Sequence, residues 1–118
     1  MKEFALIFRN SVNSDTKPSP EQMKKVMTDW MNWMGSIAAQ NKLADKGNRL
    51  SMSEAKTVRS DNTITDGPFT EIKEFINGYI IVKADTIDDA IEIAKECPIL
   101  KIGGNVEVRA IVTPDDNN

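Results

Sequence analysis

Two stretches of this chain join helix-start chemistry to an apolar stripe, and this limits the fold more than any other feature. The first begins at Ser19-Pro20-Glu21-Gln22. Ser19 suits the N-cap, Pro20 the first helical position, and Gln22 completes a capping box. The pattern predicts a helix to about Asn41–Lys46, with Gly47 as its C′ residue. Met23, Met27, Trp30, Met34 and Ile37 recur at steps of four and three as one apolar stripe, widened by Val26 and Trp33. Such a stripe can line a ligand groove, but core or interface packing is its commoner use. The second start is Thr86, an N-cap followed by Asp88 and Asp89, whose charge complements the helix dipole. Ile87, Ala90, Ile91 and Ala94 are its expected buried face, and Pro98 stops it.

The remainder reads as strands and turns. Phe4-Ala5-Leu6-Ile7-Phe8 is a continuous apolar run, expected as a strand buried on both faces. Residues 10–19 read as a polar loop, and residues 49–52 as a short strand. Residues 56–59 and 62–65 form a hairpin around Ser60-Asp61-Asn62. Residues 78–84 are a strand centred on Tyr79-Ile80-Ile81-Val82. Gly103-Gly104 leads into a last strand over residues 105–112. Residues 1–113 make one domain, and 114–118 a frayed tail. This order fits an α+β, ferredoxin-like sandwich. Two helices cover only one face of such a sheet, so something else must hide the other.

Strand alternation says what lies there. Val106, Val108, Ala110 and Val112 point one way, toward the helices, while Glu107, Arg109 and Ile111 point away. Ile80, Val82 and Ala84 join the helix side, leaving Tyr79, Ile81 and Lys83 on the open face. Phe4, Leu6 and Phe8 pack under the helices, leaving Ala5, Ile7 and Arg9. The open face is thus apolar at Ile7, Ile81 and Ile111 and polar at Arg9, Tyr79, Lys83, Glu107 and Arg109. An apolar wall with a few convergent polar groups is the usual make-up of a small-ligand site.

Composition removes several function classes. The net charge is −3 with no basic cluster, which argues against direct nucleic-acid binding. No apolar run approaches the ~20 residues of a membrane span, and Arg9-Asn10 interrupts the first one early, so a cytoplasmic protein is expected. The chain has no histidine and one cysteine, Cys97. That excludes Ser-His-Asp and Cys-His catalysis and an internal disulfide, and it argues against a zinc site. No metal or cofactor is expected. Cys97 before Pro98 reads as a small buried hydrophobe.

Asp66-Gly67-Pro68-Phe69 remains. Pro68 fixes its own φ and pushes Gly67 out of the α region. An Asp usually closes a turn on the amide two residues on. Here that residue is Pro68, which has no N–H. Asp66 therefore caps Phe69 or Thr70 in a rigid turn, or leaves its carboxylate free at a pocket rim.

Together with Glu71, Lys73-Glu74, Gly78-Tyr79, Cys97-Pro98 and residues 104–109, this tetrapeptide resembles the DGPF group of the YCII-related family. The resemblance spans nearly the whole chain. It implies a homodimeric α+β barrel, two sandwiches packed sheet to sheet with a cleft beside each sheet. Relatives in the wider superfamily pair a histidine with an aspartate, chemistry this chain cannot copy. The family often reads Arg-Pro where this chain has Arg109-Ala110, a change that leaves the fold intact. The family is largely uncharacterised and supplies no reaction.

Two classes of function follow. In one, a small enzyme or binder takes an anionic metabolite, with Arg9 and Arg109 as anchors, Tyr79 and Lys83 beside them, and Asp66 or Glu107 as acid or base. In the other, the chain is a non-catalytic sensor or accessory module; the resemblance links it with transcription initiation. Arg109 and Glu107 fit a mutual or interface ion pair as well as a ligand site. Lys73 and Glu74 fit a solvated face. For the turn, Gly67→Val should cost ~1–3 kcal/mol through backbone strain before proline. Denaturant melts decide this, and equal midpoints would mean the turn tolerates ordinary angles.

Overall fold

The structure, a computed structural model, describes residues 1–11, 19–51, 53–66 and 74–114; of Ser11, Asp66 and Glu74 it describes the backbone alone. Residues 12–18, most of the expected polar loop, fall outside it, as do Met52, the 115–118 tail, and Gly67, Pro68, Phe69, Thr70, Glu71, Ile72 and Lys73. In chain order the elements are β1 (Lys2–Ser11), α1 (Pro20–Ala39), β2 (Leu43–Arg49), β3 (Lys56–Val58), β4 (Ile64–Asp66), β5 (Glu74–Ala84), α2 (Ile87–Ala94), a short 3-10 helix (Pro98–Ile102) and β6 (Asn105–Ala110). Four strands form one antiparallel sheet in the order β2-β5-β1-β6. This is an α+β architecture compatible with the ferredoxin-like sandwich expected from the element order. The β3–β4 hairpin is a separate two-stranded sheet.

Both helix starts are as the sequence dictates. The Ser19 hydroxyl accepts from the Gln22 amide at 3.2 Å, and the Gln22 side chain accepts from the Ser19 amide at 2.9 Å. The Thr86 hydroxyl accepts from the Asp89 amide at 3.2 Å. The end of α1 differs from expectation. It stops at Ala39, because Asn41 takes a left-handed φ of 57°. The Asn41 amide then reaches the Ala38 carbonyl and the Lys42 amide the Ile37 carbonyl. This is the Schellman pattern with asparagine where glycine is commoner. Gly47 is therefore not a helix C′ residue but part of β2, and that strand lies earlier than the expected 49–52.

β2 pairs with β5 through two irregularities, with Leu43 opposite Val82, Asp45 opposite Ile81 and Asn48 opposite Tyr79. Gly47 turns through φ 65° here, its amide held by the Asp45 carboxylate at 2.7 Å. A Cβ at this position would run into the Tyr79 carbonyl.

The core lies between the sheet and the helices. Phe4, Leu6 and Phe8 of β1 and Ile80, Val82 and Ala84 of β5 are buried beneath Trp33, Ile37, Ala90 and Ala94, with Cys97 and Ile99. The ring of Phe8 meets Trp30 at 4.8 Å and Trp33 at 6.0 Å, and the two indoles meet at 5.5 Å, all edge-on. Trp33 Nε1 donates to the Ile93 carbonyl at 3.1 Å, joining α1 to α2. Met23 and Met27 do not share this core; they are 48% and 58% exposed. The inner side of α1 is instead Trp30, Trp33 and Ile37, with Met34 packed against the core beside them. Ile87 is likewise exposed, and the inner face of α2 is Ala90 and Ala94, flanked by Ile93. Ala110, the last residue of β6, and Val112 beyond it, both expected under the helices, are exposed.

The described chain measures 43 × 40 × 19 Å. Its short dimension accommodates one sheet and one helix layer, since packed layers lie ~10 Å apart. We expect Gly47→Ala to destabilise the protein by about 1–3 kcal/mol through the left-handed φ alone. Urea melts measure this; an unchanged midpoint would mean β2 can pair with β5 without its bulge.

Candidate functional site

The helix-free face is built by register. Ile7 lies opposite Tyr79 on β5 and Glu107 on β6; Ala5 lies opposite Ile81 and Arg109; Glu3 lies opposite Lys83. Directly opposed residues share a face, so the alternation read from each strand places Arg9, Tyr79, Lys83, Glu107 and Arg109 together with Ile7 and Ile81. A bulge in β5 skips Asn77 and sets Arg9 opposite Ile76 and Asn105. Without that extra residue Arg9 would face Asn77. Ile76 thus joins the open face, a placement that alternation alone does not provide. Asn48 of β2 does so too, and its amide nitrogen donates to the Tyr79 hydroxyl at 3.0 Å.

The charged groups converge on Glu107. Arg9 Nη2 meets Glu107 Oε1 at 3.0 Å, and Arg109 Nε lies 3.7 Å from Glu107 Oε2. Each carboxylate oxygen thus faces a guanidinium. The first contact is diagonal across β1 and β6, and the second joins neighbours on one strand face. Their environments differ: the Arg9 side chain is 24% exposed and that of Arg109 71%. Arg9 Nε is buried and has no hydrogen-bond partner among the described residues. Leaving such a donor unpaired costs about 1–3 kcal/mol.

Lys83 and Tyr79 are half-buried on β5. The backbone of Asp66 ends β4 opposite Lys56, in the separate hairpin sheet. Its side chain, and the turn that follows it, lie outside the described residues. Among the described residues no group of three or more Cys, Asp or Glu side chains is placed to hold a metal ion, and no helix is long and apolar enough to cross a membrane.

Cys97 sits in the core with its thiol 2% exposed as a residue. Burial pushes that thiol up from 9.0 to about 12, slightly opposed by a backbone hydrogen bond from Ile99. A thiol so held is a poor nucleophile.

A family model, the YCII-related domain, matches residues 4–114. An uncharacterised protein from Rhizobium meliloti (strain 1021) is 24% identical over 96 residues, covering 79% of this chain and 77% of that protein.

Cys97 yields a test of the core. Its folded pKa is raised, so its contribution to stability is whole below pH 9.0 and is lost as the pH rises toward 12. At pH 8 a disulfide-exchange reagent should leave Cys97 unmodified in the native protein and label it once denaturant is added. Rapid labelling of the native state would contradict the burial.

Proposed function

Because the chain belongs to the YCII-related domain family, we propose that it is a dimeric binder of a small anionic metabolite, working at the helix-free sheet face. The observation that carries this reading is the Glu107 carboxylate lying between Arg9 and Arg109. These two guanidinium groups already hold one carboxylate, that of Glu107. Guanidinium groups fork onto carboxylates and phosphates, and charge-assisted contacts of this kind are about twice as strong as neutral ones. Tyr79 and Lys83 are the neighbouring polar groups, and Ile7, Ile76, Ile81 and Ile111 supply the apolar wall. Within the family, Asp66-Gly67-Pro68-Phe69 favours the DGPF group.

The dimer follows from the missing layer. Isoleucines on a sheet face without helices form the kind of patch that marks an interface. A second copy laid on that face would turn the two-layer sandwich into a closed barrel, with a cleft beside each sheet. In an enzymatic version of this reading, Glu107 or Asp66 exchanges a proton with the bound anion. The alternative, an accessory module linked to transcription initiation, would use the same dimer and no ligand.

Two measurements test the reading. Sedimentation at micromolar concentration should give twice the chain mass, and a folded monomer there would remove the sheet-to-sheet dimer. A thermal-shift screen of metabolites should return anions as stabilisers. A ligand at 100 times its Kd raises stability by ~2.7 kcal/mol. Hits confined to neutral or cationic compounds, or no hit at saturating concentrations, would favour the accessory module.

A further inference from the structure

We propose that the two arginines have different tasks: Arg109 contacts the anion, Arg9 is a positioning residue for Glu107, and the anion is a monocarboxylate with a short apolar body. This inference rests on the anion-binding reading above and refines it.

The first ground is the unequal state of the two guanidinium groups. Arg109 is largely exposed and holds Glu107 loosely, at 3.7 Å. Arg9 is mostly covered and holds the same carboxylate at 3.0 Å through Nη2. Nε and Nη2 lie on one edge of a guanidinium and together match the two oxygens of a carboxylate. On Arg9 that edge is half used, because Nε is buried without a partner among the described residues. A small swing of Glu107 would give both oxygens to Arg9 and satisfy Nε. The same swing would release Arg109. Glu107 is thus a movable counter-ion: shared when the site is empty, and held wholly by Arg9 when an external anion takes Arg109.

The second ground is shape and charge. Arg109 lies opposite Ala5, and Ala5 lies opposite Ile81. Alanine is the smallest side chain in that row, so the row dips between Arg109 and Ile81, with Ile7 two residues along the same strand face. A carboxylate on Arg109 would lay its apolar body over Ala5. The three charged groups sum to +1, so a monoanion brings the cluster to neutrality. A phosphate dianion would leave net negative charge beside Glu107 and is disfavoured. β6 is an outer strand, which leaves Arg109 at the rim when a second copy covers the centre.

The experiment is calorimetric titration of the full chain with benzoate and, separately, with inorganic phosphate, for the wild type and the variants R109A, R9K, E107Q and R9K/E107Q. Circular dichroism checks that each is folded. Benzoate should bind more tightly than phosphate. R109A should weaken benzoate by about tenfold or more. R9K cannot take both oxygens, so Glu107 stays on Arg109 and competes, and affinity falls. Adding E107Q to R9K should restore it, a rescue that a merely structural Arg9 would not give. E107Q alone should bind benzoate more tightly than the wild type, because the competing carboxylate is gone, which keeps the test open if R9K does not fold. Unchanged or weaker binding in E107Q, failure of rescue in a folded R9K/E107Q, or preference for phosphate would overturn this division of labour while leaving an anion site in place. Absence of binding by both anions in the wild type would overturn it together with the anion-binding reading.

Discussion

Everything on the open face depends on how tightly the other face is closed. Phe8, Trp30 and Trp33 meet edge-on in one cluster, and the indole of Trp33 also bonds the Ile93 carbonyl of the second helix. Each aromatic pair adds roughly 0.5–1.5 kcal/mol beyond the area it buries. The cluster ties α1 to both β1 and α2. With Phe8 committed to the helix side, period-two alternation leaves Ile7 and Arg9 no choice of face. A one-residue slip of β1 would send both arginine and isoleucine into the helices. The polar face is thus specified from behind, by the packing of residues that never touch it.

The parts of this arrangement legible in the sequence are those set by local rules. The capping residues Ser19, Gln22 and Thr86 act within four residues of themselves, and alternation along β5 and β6 acts within a strand. β2 was not legible for the same reason. Leu43-Ala44-Asp45-Lys46-Gly47-Asn48-Arg49 has little strand propensity and no clean period, because it is an irregular outer strand formed by its pairing with β5. The residue pattern points to Gly47 as the stop of α1, whereas the structure places it at Asn41. Glycine is the usual choice, yet asparagine took the left-handed position.

On the open face, the shared side of Arg9, Glu107 and Arg109 was legible, but their geometry and the presence of Ile76 and Asn48 were not. Alternation assigns Arg9, Glu107 and Arg109 to one face. That Glu107 meets Arg9 depends on the register between β1 and β6, and the bulge at Asn77 is what sets Ile76 rather than Asn77 opposite Arg9. Register of this kind is a property of paired strands, and neither strand encodes it alone. The uneven burial of the two guanidinium groups follows from their rows: Arg9 belongs to an inner strand and Arg109 to an outer one.

The exposure of three methionines on α1 has a chemical consequence. Met23, Met27 and Met31 are 48%, 58% and 70% exposed, and none belongs to the buried core. Thioether sulfur is readily oxidised by peroxide to the sulfoxide, which is polar and disrupts packing where it forms in a core. On this helix the susceptible sulfurs lie outside the core that Trp33 and Ile37 enter. Oxidants would be consumed at these surface sulfurs, in a form that methionine sulfoxide reductases can reverse, with the indole cluster left intact.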